Sequence, residues 1–265
     1  MVEEQSREVP PGAKARELVS MPANLPHALA APTAVLDRFY AACLGCSPEE
    51  LNARGVRVLE TDLSSVTFAK GSPLIVYGLS KAGGAVIAAK PGLGGPVSLA
   101  ASGSDSLDDR TCAAIERALS ALGEGAAWFR GVRLYCHPQE FCDCRMGQVR
   151  ELVPAEDERA SVLRQRWGGK VFGQVVGGRV VSWAAVKPLS SVIWDLSVET
   201  LPSHRGHGYA ASVVSAALAY IFANGKLAGW GCDRTNLASL RVAERVGFRH
   251  YALDFGGVKE LGQRK

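Results

Sequence analysis

The chain has 265 residues, of which 47% are hydrophobic and 21% are charged, and its net charge at pH 7 is +4. This length is generous for one compact core and comfortable for two small ones. No apolar run approaches the roughly 20 residues that cross a bilayer, and the basic residues do not form the aromatic-interleaved stripe that follows a nucleic-acid backbone. We therefore expect a globular protein with neither a membrane nor a nucleic acid as its partner.

The amino terminus and the cysteines indicate a cytoplasmic protein. Residues 1–31 mix charged residues with proline and lack the apolar block of a secretion signal, so we interpret them as a loose leader. Seven cysteines are an odd number, which argues against a full disulfide framework. The cysteines at 43–46 and 136–144 are possible zinc ligands, but they lack the paired spacing of a known zinc knuckle or ribbon. We expect free thiols and no metal.

Residues 32–146 are predicted to form an amino-terminal α+β domain. Apolar spacing predicts an amphipathic helix over 33–44, and short apolar runs predict strands over 56–59, 65–68, 74–79 and 85–88. Residues 91–106 are rich in Gly, Ser and Pro, which predicts a surface loop, and the next segment predicts a helix over 106–122. This domain also fits a degenerate copy of the fold predicted for the second half.

Residues 147–265 are predicted to form a second, α/β domain. It opens with a strand from residue 149 and a helix over 155–167. Two alternating runs, 170–176 and 179–186, predict a hairpin, because a Gly-Gly pair between them supplies the positive φ angles of a two-residue turn. The last predicted elements are a strand over 191–200, a helix over 209–222 and a strand over 226–232.

Residues 199–210 are the most informative segment, because they join a strand to an apolar helix through a glycine-rich turn. Gly206 and Gly208 let the backbone turn with exposed N–H groups at the positive end of that helix, where an anion is stabilised. Arg205 adds a fixed cation. Many strand-to-helix turns use glycine for geometry alone, so this signal by itself is weak.

A wider sequence pattern strengthens this signal of an anion-binding turn. Arg205-x-x-Gly208-x-Ala210 resembles the signature with which the GNAT acetyltransferase superfamily holds the pyrophosphate of acetyl-CoA. Residues 236–248 are similar to a later motif of that superfamily, in which an Asn opens a short helix that ends in Gly-Phe. Together with Val198-x-Thr200 and residues 230–239, the pattern resembles the branch that includes the zwittermicin A resistance acetyltransferase. The resemblance is specific over about residues 148–256.

The resemblance implies a GNAT fold, in which helices flank a mixed twisted sheet, and an acetyl-CoA-dependent N-acetyltransferase. It implies direct transfer to a primary amine of a small molecule, without a covalent enzyme intermediate, and this branch suggests an amino-bearing antibiotic. In the fold, the fourth and fifth strands separate, which exposes backbone groups to the pantetheine arm. The implied cofactor-binding residues are Val198, Thr200, Arg205, Gly206, His207, Gly208, Tyr209, Ala210 and Asn236. For Asn236 a helix N-cap is an equally complete explanation, and His207 also fits a surface imidazole without a partner.

Strand alternation places Asp195, Ser197 and Glu199 on one face of the predicted fourth strand. A carboxylate there can bind a substrate ammonium and accept its proton, if partial burial raises the carboxyl pKa. We take Asp195 as the first candidate and Glu199 as the second. The alternative is that both carboxylates are solvated or structurally paired.

The general acid is harder to assign. Many GNAT enzymes carry a tyrosine four residues before the glycine of the Gly-Phe pair, and this chain has Ala243 there. We take Ser239 as a candidate proton donor to the leaving thiolate, with Cys232, Tyr251 or water as alternatives.

Two other functions stay open. One is a protein or peptide N-acetyltransferase, which a shallow open cleft would favour. The other is an acyl-CoA-binding regulatory protein without turnover, which Ala243 favours. The sequence leaves the acceptor amine, the preferred acyl chain and the oligomeric state undetermined.

Overall fold

We describe the fold from a computed structural model that covers residues 31–63, 66, 73–153 and 155–259. Its α-helices within these ranges are α1 Pro32–Leu44, α2 Pro48–Leu51, α3 Gly94–Ala100, α4 Asp109–Ala121, α5 Glu158–Trp167, α6 Tyr209–Ala223 and α7 Leu237–Arg245. Its strands are β1 Gly55–Glu60, β2 Leu74–Lys81, β3 Gly84–Ala89, β4 Ala126–Cys136, β5 Gln148–Glu151, β6 Val171–Val176, β7 Arg179–Pro188, β8 Ile193–Thr200, β9 Leu227–Asp233 and β10 Arg249–Lys259. The predicted leader and the predicted strand over 65–68 lie outside the described residues, except for residues 31 and 66.

The strands form one mixed sheet of ten in the order β1-β3-β2-β10-β4-β9-β8-β7-β6-β5. Two neighbouring pairs, β1 with β3 and β8 with β9, are parallel, and the other pairs are antiparallel. The helices α1, α2 and α5 pack on one face, which we call the α1 face. The helices α3, α4, α6 and α7 pack on the other, the α6 face. The mixed sheet flanked by helices confirms the predicted fold class.

Most predicted elements are confirmed to within a few residues. The hairpin turn has φ values of 56° at Gly177 and 78° at Gly178, as the two-residue turn requires. The helix predicted from residue 155 begins later, after Asp157, whose carboxylate accepts a hydrogen bond from the Ala160 N–H at 2.7 Å.

The prediction of a loop over residues 91–106 is wrong, because α3 lies within it. Leu93, Val97 and Ala101 recur every four residues and are buried in the core beneath α4. The Glu60 carboxylate accepts hydrogen bonds from the N–H groups of Gly92 and Gly94, at 3.1 and 2.9 Å. Packing and this distant carboxylate outweigh the low helix propensity of Gly and Pro.

The sequence patterns did not indicate β4 and β10, which lie side by side in the middle of the sheet. Arg133 in β4 and Asp254 in β10 interrupt the apolar alternation of these strands. In addition, Gly256 and Gly257 resemble a turn, whereas here they leave room for the rings of Phe129 and Trp128. Because β4 pairs with both β9 and β10, the sheet runs across the predicted boundary near residue 146.

Candidate active site

The centre of the site is a fork between β8 and β9. The two parallel strands are in register only at Ile193–Leu227 and Trp194–Ala228. Beyond this point β8 continues beside β7 to Thr200, and β9 continues beside β4 to Asp233. The strands therefore separate toward their carboxyl ends, as the GNAT resemblance implies.

One edge of β8 faces the fork. The Leu201 N–H donates to Val181 O and the Leu189 N–H donates to Ile193 O, so the odd-numbered residues of β8 bond to β7. The even-numbered residues turn their backbone groups toward β9. Within the fork, the Val198 N–H and C=O lie on this open edge, which suits an extended ligand that pairs as an added strand.

The glycine-rich turn lies beyond the end of β8. Gly206 and Gly208 have φ values of 81° and 82°, which only glycine adopts without strain, and α6 begins at Tyr209. The first bond of the helix joins the Ser212 N–H to Gly208 O at 3.1 Å. The N–H groups of Tyr209, Ala210 and Ala211 consequently lie at the open end of the helix.

A second cation lies at this turn and was not predicted from sequence. Arg245, in the last turn of α7, brings its Nη1 within 3.6 Å of the position that a Cβ on Gly208 would take. The Met146 Sδ and methyl group lie at 3.7 and 3.5 Å from the same point. A basic residue near the end of a predicted helix gave no signal that it would meet a turn 37 residues away in sequence.

Other residues that were predicted to bind the cofactor hold the glycine-rich turn together. The Arg205 Nε donates to Thr200 O at 3.3 Å, and the His207 Nδ1 lies 2.9 Å from Arg205 O. The rings of His207 and Tyr209 stack with centroids 5.6 Å apart. The Thr200 hydroxyl lies 2.7 Å from the Ser182 hydroxyl, so it bonds within the sheet.

A comparison with α3 shows what distinguishes this turn. Both α3 and α6 follow a glycine-rich segment, but the carboxylate of Glu60 already accepts from the N–H groups at the start of α3. At α6 the turn itself carries Arg205, and the Arg245 Nη1 lies close to Gly208. Only the second turn therefore favours an anion.

The residues of α7 line the α6-face side of the fork. The Asn236 Oδ1 accepts from the Ser239 N–H at 3.1 Å, which makes Asn236 the N-cap of α7. The Ser239 hydroxyl accepts from the Trp230 Nε1 at 3.1 Å. Ala243 is fully buried in the core beneath α7, where a tyrosine ring would not fit without displacing its neighbours.

The side chain of Asp195 lies on the α1 face, at the base of the fork. Its Oδ1 accepts from the Leu196 N–H at 2.6 Å, on the open edge of β8. Its Oδ2 lies 3.2 Å from the Nζ of Lys187. Asp195 is only 3% exposed. Its carboxylate is paired with Lys187 and lies next to the edge where an extended ligand would lie.

Glu199 is engaged elsewhere. Its two oxygens accept from the Nε and Nη2 of Arg159, in α5, at 2.7 Å each. This pair of parallel hydrogen bonds holds Glu199 against the exposed surface of α5. Of the two candidate carboxylates, Asp195 is the one that reaches the open edge.

Two of the alternative proton donors have raised pKa values. Burial raises the pKa of the Cys232 thiol, and hydrogen bonding to Ser239 and Trp230 opposes that shift only in part. Burial and the hydrogen bond to Asp37 raise the pKa of Tyr251 far above its usual range. Because Tyr251 lies on β10, two strands away from β9, it does not line the fork.

A buried ion pair extends the α1 face of the fork and was also not predicted. The Arg133 Nε and Nη2 lie 2.6 Å from the Asp254 Oδ2, and the two side chains are 12% and 1% exposed. The acidic neighbour Asp254, with Tyr77, Tyr40 and Asp195, raises the pKa of Arg133 despite its burial. The guanidinium therefore carries a permanent positive charge at this position.

The structure explains why residue 247, in the Gly-Phe pair, is a glycine. Its φ is 99°, and a Cβ there would lie 2.0 Å from the carbonyl oxygen of Glu140. Glu140 ends a short 3-10 helix, Pro138–Glu140, and the following Cys142 N–H donates to Val246 O at 3.1 Å. The segment from residue 138 thus packs against the end of α7.

The cysteines do not form a metal centre in the described part of the chain, which holds no group of three or more His, Cys, Asp or Glu side chains placed to bind a metal. Among the same residues, no helix combines the length and the apolar character of a transmembrane span.

Residues 138–248 match the model of the acetyltransferase (GNAT) family. The chain is 30% identical over 97 residues to the uncharacterized N-acetyltransferase YdfB of Bacillus subtilis, which is 35% of this chain and 37% of that protein. It therefore spans just over a third of the length of this relative.

Solved structures similar to the chain include a GCN5-related N-acetyltransferase from Kribbella flavida, with 19% identity, a TM-score of 0.45 and coverage of 55% of this chain and 64% of that one. A Drosophila protein covers 88% of this chain and 89% of its own, with 13% identity and a TM-score of 0.45.

The family match begins at the 3-10 helix that packs against Gly247 and ends at Phe248, so it encloses the fork, the glycine-rich turn and α7. It leaves out α1 to α4 and most of the strands on which they pack. The similarity to the GNAT acetyltransferase family thus lies in residues 138–248, which are less than half of the chain.

Proposed function

We propose that this protein is an acetyl-CoA-dependent N-acetyltransferase that transfers the acetyl group directly to a primary amine of a small molecule. The observation that carries the proposal is the alignment of the fork with the glycine-rich turn. The open edge of β8 at Val198 leads toward the start of α6, where the turn carries Arg205, Arg245 lies close to Gly208 and the first helix N–H groups are open. An extended arm that ends in a diphosphate fits both features.

In the transfer, the amine nitrogen forms a bond to the thioester carbon and the carbon–sulfur bond breaks. The amine must first lose a proton, and the thiolate gains one to leave as free CoA. The Asp195 carboxylate, held at the open edge by the Leu196 N–H, is the group that we assign to the ammonium. We assign the Ser239 hydroxyl, near Trp230 on the opposite side of the fork, to the thiolate.

A second candidate function is an acyl-CoA-binding protein without turnover. It is favoured by the burial of Ala243 at the position of the usual tyrosine and by the ion pairs that already occupy Asp195 and Glu199. We propose an amino-bearing antibiotic as the acceptor from the resemblance alone, and a protein or peptide amine is the alternative that a shallow open cleft would favour.

The test is calorimetric titration of acetyl-CoA, combined with release of free thiol in the presence of a panel of amines. We expect the Arg205→Ala, Gly208→Val double variant to bind at least about 100-fold more weakly, since it removes a cation and strains a positive φ. Arg245→Ala should weaken binding by roughly tenfold, which corresponds to about 1.4 kcal/mol. The exposed Arg110 of α4 gives the control, because Arg110→Ala removes the same charge away from the turn.

Thiol release that depends on an amine supports the enzyme. Binding without release under any amine supports the regulatory function. If the wild type does not bind acetyl-CoA, or if Arg110→Ala weakens binding as much as Arg245→Ala, the proposed cofactor site is wrong.

A further inference from the structure

An irregular segment, residues 142–146, lies against the two helices on the α6 face of the fork, and we call it the strap. Within it, Cys144 and Met146 are half-buried, whereas Asp143 and Arg145 are exposed. The two exposed residues pair with each other, and the Arg145 Nε lies 2.8 Å from the Asp143 Oδ2. The strap therefore presents one side to the helices and the other side to solvent.

Two buried serines of α6 fix the strap to that helix. The Cys144 N–H donates to the Ser215 Oγ at 2.9 Å. The Met146 N–H donates to the Ser212 Oγ, also at 2.9 Å. The Ser212 hydroxyl in turn donates to the Gln174 Oε1 at 2.6 Å. Because both serines are fully buried, solvent does not compete for their hydroxyl groups, and the strap is anchored near the start of α6.

The strap also contacts the end of α7. The Cys142 N–H donates to Val246 O at 3.1 Å, and the Cys144 Sγ lies 3.8 Å from Arg245 O. The contact on α7 therefore includes the residue whose side chain reaches the glycine-rich turn. In this way the strap joins the start of one helix to the end of the other.

The side chain of Met146 lies at the glycine-rich turn. Its Sδ and methyl group lie 3.7 and 3.5 Å from the position that a Cβ on Gly208 would take, and the Arg245 Nη1 lies 3.6 Å from the same point. The two side chains therefore lie on the same side of Gly208. Arg245 is exposed, and an exposed arginine has many rotamers. A neighbour that excludes some of these rotamers reduces the entropy that is lost when the guanidinium binds an anion.

We propose that Met146 is a positioning residue of the cofactor site. The serines hold the strap, the strap holds Met146 beside Gly208, and Met146 keeps the Arg245 guanidinium at the start of α6, where the diphosphate binds. Met146 carries no charge and acts on the cofactor through Arg245. This inference rests on the proposed function, since it concerns the binding of the acetyl donor.

The experiment is a double-mutant cycle in which calorimetric titration measures the affinity for acetyl-CoA. Met146→Ala removes the side chain beside Gly208 and should weaken binding by about fivefold. In an Arg245→Ala background the same substitution should weaken binding by less than about twofold, because the guanidinium that Met146 orients is absent. Met146→Leu keeps an apolar side chain of similar volume and should bind within about twofold of the wild type.

Ser212→Ala tests the anchor of the strap. It leaves the Met146 N–H without its acceptor, so we expect binding to weaken by about fivefold, and again by less than about twofold in the Arg245→Ala background. Ser80→Ala is the matched control. Ser80 is also a buried serine whose hydroxyl donates to a backbone carbonyl, but it lies in β2, which β10, β4 and β9 separate from β8. Circular dichroism establishes that each variant is folded.

S-acetylpantetheine, which lacks the diphosphate, separates positioning from a general loss of structure. Met146→Ala should bind it as tightly as the wild type does. Unchanged affinity of Met146→Ala for acetyl-CoA, a loss that is additive with Arg245→Ala, or an equal loss for S-acetylpantetheine overturns the positioning role while the proposed function stands. If the wild type does not bind acetyl-CoA, the proposed function is wrong, and this inference is wrong with it.

Discussion

The two faces of the fork differ in how the chain builds them. On the α6 face, the glycine-rich turn, the N-cap Asn236 and Gly247 come from one continuous segment, and their roles are local ones of backbone geometry. On the α1 face, the ion pair joins Arg133 and Asp254, which are 121 residues apart in sequence. One face can therefore be recognised from a short motif, whereas the other exists only after the central strands have paired.

This difference predicts where a conservative substitution lowers the free energy of unfolding most. Asp254→Asn keeps the shape of the side chain but leaves Arg133 buried without its carboxylate, so we expect the free energy of unfolding to fall by about 3–5 kcal/mol. The control is Glu156→Gln, which breaks the exposed pair with Arg150 and should cost less than about 1 kcal/mol. Urea denaturation measures both. Equal losses in the two variants would mean that the α1-face pair contributes no more than a surface pair.

The α6 face should respond to backbone geometry instead of charge. Gly247→Ala forces a side chain into a φ of 99° and toward the Glu140 carbonyl, and we expect a loss of roughly 2–3 kcal/mol. Gly225→Ala is the matched control, because Gly225 has a φ of 67° with open space around it, and should lose only about 1 kcal/mol. The difference between the two in urea denaturation isolates the contact with residue 140. If both variants lose the same free energy of unfolding, the contact with residue 140 is not the reason that position 247 requires glycine.

The same contrast explains what the sequence predicted. The turn and the N-cap at Asn236 followed from glycine positions and a capping residue, which act within a few residues of themselves, whereas the fork followed from the family resemblance. The strand β10 was missed because Asp254, Gly256 and Gly257 suit a strand only when Arg133, Phe129 and Trp128 lie beside them. Helix α3 was missed for a similar reason, since its start is completed by Glu60 from a strand more than thirty residues earlier.

The smallest expected effect concerns pH and a second charge network on the α1 face. Asp37, in α1, accepts hydrogen bonds from the Lys81 Nζ and the Tyr251 hydroxyl, each at 2.6 Å, and from the Asn52 amide at 2.8 Å. Burial alone would raise the pKa of Asp37, but these three donors outweigh it and hold the pKa below its usual value of 3.8.

A carboxyl group with a lowered pKa in the folded state stabilises the protein above its unfolded pKa, and this stabilisation is lost as the pH falls through the folded pKa. The free energy of unfolding of Asp37→Asn should therefore be lower than that of the wild type at pH 7. This difference between the two proteins should narrow below about pH 4. Urea denaturation at several pH values measures this difference. Asp105→Asn is the control, since Asp105 is an exposed carboxylate. If the difference in the free energy of unfolding between Asp37→Asn and the wild type stays constant down to pH 3, the three donors do not hold the pKa of Asp37 below its usual value.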